Sequence, residues 1–407
     1  MLYKYTTSQK IGVIYFMETE NTKCVVHFLP AKAGDCILLE LDNKNCILID
    51  CGYATTYNNE LKPLLQKLAK KGCKISLMII THIDEDHIFG AISFIEDNGN
   101  AENPSVIQID EIWHNGIFNT VMNSEIFRKH EKKEVPEDIL NKCRSARSLL
   151  KKQFNGESGT ISVAQSQMFE RVCAKYHYRI NSQFANQCVV KGQKYCFDDC
   201  EINILSPGNK EIEQFYNALN IELVKEFGKD YIWNKTEEFA ELFELIALYK
   251  GYDEPGEFTI AQISAQTADI HKWIGTSKLP KMNAINCASI VTDIRYKGLK
   301  LLFMGDSESE LWKEQLESYY DLIKVSHHGT TKPNLAWMNC TNAKKLLIST
   351  NGGKHRHPED DFLARAIMGD FDELYFNYSI LRKSEILLFQ EKYNFKAEFE
   401  KREIILN

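Results

Sequence analysis

The sequence predicts a single large α/β domain in which a strand-rich frame is interrupted by two helical stretches. Three observations lead there: short apolar segments with turn residues between them, stretches with apolar residues at helical spacing, and a strand pattern that stops twice, over 117–187 and 209–281, and resumes each time. At 407 residues the chain fits one domain carrying insertions and has enough length to bury a sizeable core.

The elements follow in order. CVVHFLPAKAGDCILLEL and KNCILIDCG read as short strands broken at Gly-Asp and Asn turns, an antiparallel meander with both faces partly buried. LKPLLQKLAKKG is a helix with Pro63 in its first turn and Gly72 past its end. ISLMII is a buried strand, and VIQIDEIWHNG follows the next helix. Beyond about Ile117 the chain turns helical, polar and rich in Lys and Arg, until QCVVKGQKYCFDDCEINILSPG restores strands. A second helical region runs from about Asn209 to Lys281, and ASIVTDIRYKGLKLLFMGD returns to the strand pattern.

Composition narrows the classes. A formal charge of −7 argues against an all-over basic surface, although a local basic groove remains compatible with it. The 12 cysteines include no CxxC pair, and Cys196 and Cys200 sit where a hairpin is expected, so reduced thiols in a cytoplasmic protein are the reading. The first 20 residues lack the uninterrupted apolar core of a signal peptide, and no apolar run is long enough to span a membrane. A soluble protein is expected.

The chemistry concentrates at THIDEDHIFG, residues 81–90, on the loop that leaves ISLMII. His82 and Asp84 alternate on one side of that loop, while Asp86 and His87 come together where the next helix starts. A helix start needs only one acid for capping, so a His-x-Asp-x-Asp-His array points to a pair of metal ions.

This array resembles the HxHxDH motif of the metallo-β-lactamase superfamily, in the HxDxDH form of the hydrolase domain of ComEC-type competence proteins. Other segments are similar to the family's motifs in the same order. LPAKAGDCILLE resembles the opening strand-turn-strand, ILIDCG the strand whose acid, Asp50, supports the metal loop, and KGQKYCFDDCEINILSPG the central hairpin. FMGD supplies Asp306 as the implied bridging ligand, LIKVSHHGTTKPN supplies His327, and HPEDDFL resembles a late His-Pro motif beginning at His357. The likeness covers roughly half the chain and implies an αββα sandwich; the two insertions have no counterpart in it.

The resemblance implies metal ligands His82, Asp84, Asp86, His87, Asp306 and His327, with Asp84, Asp86, His328 and His357 in catalytic roles. His355 carries no assignment, and His114 either faces the cleft or caps a strand. Two departures matter: Asp84 stands for an imidazole, and the family's third histidine is missing, leaving Asn286 as the candidate there. Both harden the first site toward oxygen-loving ions, so the expected cofactors are two divalent ions, Mn²⁺ or Zn²⁺, with Mg²⁺ also compatible.

Three functions are carried forward. The first is a nuclease or phosphodiesterase using a hydroxide held between two cations; the second a lactonase or thioesterase acting on a small carbonyl substrate; the third a non-catalytic metal-binding module. Lys129, Lys132, Lys133, Lys142, Arg144, Arg147, Lys151 and Lys152 form either a solvated helix face or a basic lid for a nucleic-acid backbone. Phe215, Tyr216, Phe227, Tyr231, Trp233, Phe239 and Phe243 are spaced as an amphipathic core or a partner surface. Similarity to stand-alone relatives in bacterial defence implies a protein partner, engaged through the insertions, and no membrane.

Overall fold

A computed structural model describes residues 23–116, 169–184, 186–227, 269–353 and 356–407, together with scattered positions between 137 and 148. Two sheets stack face to face, each with helices on its outer side. The first has the order β14-β1-β2-β3-β4-β5, built from β1 (Cys24–Phe28), β2 (Ile37–Leu41), β3 (Asn45–Ile49), β4 (Lys74–Ile80), β5 (Ile112–His114) and β14 (Glu403–Leu406). The strands β14, β1, β2 and β3 pair antiparallel, whereas β3, β4 and β5 run parallel. The second sheet has the order β13-β12-β11-β10-β9-β8-β7-β6. Its strands are β6 (Lys194–Phe197), β7 (Cys200–Ser206), β8 (Val291–Tyr296), β9 (Leu299–Phe303), β10 (Tyr319–Lys324), β11 (Asn342–Ile348), β12 (Phe371–Phe376) and β13 (Lys396–Glu398).

Apolar residues on both faces of the strands explain the layering. In β3, Cys46 and Leu48 join the core under the first helical layer while Ile47 and Ile49 face the other sheet. The outer helices of that sheet are α1 (Lys62–Lys70), α2 (Glu85–Asn98) and α3 (Phe169–Lys175). On the second sheet, α5 (Thr331–Met338), α6 (Asp360–Met368) and α7 (Lys383–Tyr393) cover a core that includes Trp337, Phe362 and Phe389. The result is the αββα sandwich the sequence led us to expect.

Cys196 and Cys200 lie on the β6–β7 hairpin, and the described cysteines are all free thiols, most of them buried. Among the described residues no helix is long and apolar enough to cross a membrane. Of 117–187, α3 is helical, but residues 178–181 run along the β5 edge, where Ile112 N donates to Arg179 O and Asn181 N to Ile112 O. An unpaired strand edge needs backbone partners, and that need outweighs local helical character here. In the second stretch α4 (Asn209–Phe227) is helical, with Phe215 and Tyr216 buried. Tyr231, Trp233, Phe239 and Phe243 lie outside the described residues, as do all the basic residues named for the lid except Arg144, whose guanidinium meets Glu137 on an exposed helical surface.

Candidate metal centre

The site forms where strands of both sheets end. Asp50 follows β3, Thr81 and His82 follow β4, Asp306 follows β9, His327 and His328 follow β10, and Ser349 follows β11. Carboxyl ends of parallel strands leave backbone groups and loops to line a crevice, so these residues converge although up to about 300 residues separate them in sequence.

Asp50 organises the first loop. Its carboxylate, completely buried, accepts from Thr81 N at 2.8 Å, from Thr81 Oγ1 at 2.8 Å and from His87 Nδ1 at 2.7 Å. Because Thr81 Oγ1 gives its proton to Asp50, it is left to accept from His82 Nδ1 at 3.0 Å. Both rings therefore carry their proton on Nδ1 and turn the lone pair of Nε2 inward. His328 is set the same way: its Nδ1 donates to Ser349 O at 2.9 Å.

The inward atoms meet around Asp306. Its Oδ2 lies 3.8 Å from His82 Nε2, 3.7 Å from His87 Nε2, 3.7 Å from His327 Nε2 and 3.6 Å from His328 Nε2. Asp84 Oδ2 is 3.5 Å from His82 Nε2, and Asp86 reaches His87 Nε2 at 3.9 Å and His328 Nε2 at 3.7 Å. His82, His87 and Asp306 form one group with ligand atoms within 4.8 Å of one another, and Asp86, His87 and His328 form a second. The Nε2 atoms of His82, His87 and His328 and Oδ1 of Asp306 are buried with no hydrogen-bond partner among the described residues. Leaving such atoms unpaired costs about 1–3 kcal/mol each, and a divalent cation is the species that lone pairs and carboxylates can share. The donors thus fit a metal.

Electrostatics point the same way. Burial alone would raise the Asp306 carboxyl, but the four surrounding imidazoles hold it well below the usual carboxylate range. Burial would lower His87, yet Asp50, Asp306 and Asp86 raise it well above its ordinary value, and Asp306 and Asp35 raise His328. Such a crowd of carboxylates draws positive charge, protons or cations alike.

The two adjacent histidines have different surroundings. Both adopt left-handed backbone, φ 46° at His327 and 55° at His328, and Gly329 continues the turn at φ +87°, where a Cβ would lie 2.7 Å from Pro358. This kink aims both rings at Asp306, but only His328 also reaches Asp86. His327 instead stands beside Asn286, whose Nδ2 is 3.4 Å from His327 Nε2. His357 is farther out, its ring centre 5.6 Å from His327 and 6.4 Å from His328. His114 packs edge-on against Phe169, and burial pushes its imidazole down to about 4. His355 lies outside the described residues. The sequence reading gave no role to Thr81, Ser349, Lys324 or Asp35; a lysine inside the apolar strand LIKV was the available signal for Lys324.

Residues 29–134 match the family model described as Metallo-beta-lactamase superfamily. No curated protein matches the chain. Among solved structures, the metallo-β-lactamase fold protein YhfI from Bacillus subtilis is 9% identical, with 94% of this chain and 99% of that chain covered and a TM-score of 0.36. Zn²⁺-bound PqqB from Methylobacterium extorquens is 9% identical, with coverage of 94% and 100% and a TM-score of 0.38. A CmlA β-hydroxylase mutant is 10% identical at a TM-score of 0.35, with 95% of this chain and 54% of that chain covered. Likeness at this level says nothing of substrate. Over residues 29–134 the chain is therefore similar to the metallo-β-lactamase superfamily, and its two-sheet sandwich brings together His and Asp donors that fit divalent metals.

Proposed function

We infer that the chain is a phosphodiester hydrolase, a nuclease of the ComEC-like kind, working with two divalent cations. The observation that carries this reading is the richness of the donor set in carboxylates. Asp84, Asp86 and Asp306 meet at the site, and Asp50 and Asp35 stand behind its histidines with Lys324 paired to Asp35, a formal excess of four negative charges that two divalent cations balance. His82, Asp84 and Asp306 would hold one cation; Asp86, His87, His328 and Asp306 the other. Oxygen-rich coordination suits Mn²⁺ and Mg²⁺ as well as Zn²⁺, and such ions match phosphate oxygens.

Bound cations of this kind polarise a phosphoryl oxygen and acidify water. The chain's own residues do the rest. Asp50 and Thr81 keep His82 and His87 in the ligand tautomer. Asp84 and Asp86 are the accessible members of the carboxylate set, 19% and 17% exposed at the side chain, and would orient the attacking water and receive its proton. His357, beside His327 at the rim, holds the proton for the leaving oxygen. The basic stretch from Arg128 to Lys152 would grip the nucleic-acid backbone, and the insertions would receive a protein partner.

The test is cleavage of single- and double-stranded DNA by the purified chain with Mn²⁺, Mg²⁺ or Zn²⁺, beside an Asp86→Ala, His87→Ala double variant and elemental analysis of bound metal. Metal-dependent cutting lost in the variant supports the reading. Two ions per chain with no cleavage of DNA or RNA, but turnover of a lactone or thioester, would replace it with the carbonyl hydrolase.

A further inference from the structure

Directly behind His328, the ammonium of Lys324 meets Asp35 Oδ2, both side chains almost fully buried at 1% and 2% exposed. A buried ion pair contributes little to stability compared with apolar packing of the same volume, so its presence here calls for another account. Its surroundings supply one. Asp35 Oδ1 lies 3.5 Å from His328 Nδ1 and has no hydrogen-bond partner among the described residues. Asp35 N donates to Asp86 O at 3.3 Å. Asp35 thus touches two ligands proposed for the same cation, one from the start of α2 and one from the turn after β10.

The contact is anchored from behind. Ser349, whose carbonyl receives the His328 Nδ1 proton, donates its hydroxyl to Gly34 O at 2.7 Å. Asn377 donates to Ser349 Oγ at 3.0 Å and to Leu29 O at 2.9 Å. This buried network fastens the 29–35 turn to the ends of β11 and β12, and so fixes where the Asp35 carboxylate stands relative to β10.

Resting on the two-cation reading above, we propose that Asp35 and Lys324 are positioning residues for the second cation. Asp35 faces His328 Nδ1 beside the Ser349 carbonyl that accepts its proton, and its negative charge there reinforces that tautomer and increases the donor strength of Nε2. Lys324 offsets the carboxylate's charge and keeps it from turning into the cluster as a ligand itself. Outer carboxylates of this type typically change metal affinity by about 10–100-fold when removed.

The experiment uses the full chain, Zn²⁺ as probe, and three variants: Asp35→Asn, Lys324→Met, and the two combined. Stepwise Zn²⁺ affinities are read by competition with a chromophoric chelator, and folding by circular dichroism and thermal melting. In the combined variant no buried charge is left unpaired. It is expected to melt at or above the wild-type temperature yet bind one Zn²⁺ about 10–100-fold more weakly, with the other affinity unchanged. A folded combined variant that binds both ions with wild-type affinity overturns the proposal, as does a combined variant that cannot fold with or without Zn²⁺, since the pair is then a folding element. Wild-type chain that takes up no Zn²⁺, Mn²⁺ or Mg²⁺ would instead remove the two-cation reading itself.

Discussion

Gly34→Ala places a methyl group against the carbonyl from which the metal centre starts. An ideal Cβ at position 34 lies 1.8 Å from Asp86 O, 2.6 Å from Asp86 C and 2.7 Å from Asp86 Cβ. Carbon–oxygen contacts settle at about 3.3 Å or more, so the turn and the first residues of α2 must separate by about 1.5 Å. Neither side has room to absorb this alone, because Asp35 N donates to Asp86 O and Ser349 Oγ to Gly34 O. Metal–ligand distances tolerate only about 0.2 Å, so even a small share of that displacement reaching Asp86 and His87 spoils the second cation's site. Overpacking together with the strained hydrogen bonds costs about 2–3 kcal/mol. The assay is Zn²⁺ stoichiometry and affinity beside thermal melting. Gly369→Ala serves as the control, since its Cβ meets the Phe371 ring at 2.8 Å and Arg365 O at 2.9 Å beyond the end of α6. Gly34→Ala is expected to lower both stability and the affinity for one cation, Gly369→Ala stability alone. Gly34→Ala protein that binds two Zn²⁺ with wild-type affinities would refute the reasoning.

Three further outcomes are expected. Asp50→Asn removes the charge that Thr81 and His87 share and forces an amide N–H toward donors; a loss of about 3–5 kcal/mol and about 10–100-fold weaker Zn²⁺ binding should appear together in melting and titration. Asn98→Ala breaks four buried hydrogen bonds, to Val106 N, Ile107 N, Ile107 O and the Tyr178 hydroxyl, and should cost about 2–4 kcal/mol in denaturant unfolding while Zn²⁺ affinity stays at the wild-type value. The third concerns pH. Burial lowers His87 and His328, but their carboxylate neighbours outweigh it and raise both above 6.5. The stability their protonated forms give the metal-free chain is therefore fully present below pH 6.5 and lost as pH rises through the raised folded values. Over the same interval Zn²⁺ affinity should increase, with protons released on binding, because fewer protons compete for Nε2. A metal-free melting temperature that does not fall from pH 6.5 upward, together with Zn²⁺ uptake without proton release in calorimetry, would contradict this.

Much of the fold was legible because its signals are local. The short apolar runs of β3 and ISLMII and the Cys196–Cys200 hairpin are each signalled by neighbouring residues alone. His82, Asp84, Asp86 and His87 were legible for the same reason, since six consecutive positions already place them on one loop and one helix start. Residues 178–181, expected within a helical stretch, follow the β5 edge instead, a partner about 70 residues away.

The sequence by itself determined the class of fold, the array at 82–87 and the candidacy of Asp306, His327, His328 and His357. Only the tertiary structure decided that His328, not His327, meets Asp86, that Asn286 stands beside His327, and that Asp35 and Lys324 pair across 289 positions behind the site. Neither adjacency in the chain nor residue type distinguishes His327 from His328. What separates them is the left-handed kink and the ends of β3, β4, β9, β10 and β11, and those come together only when two sheets bury their shared core.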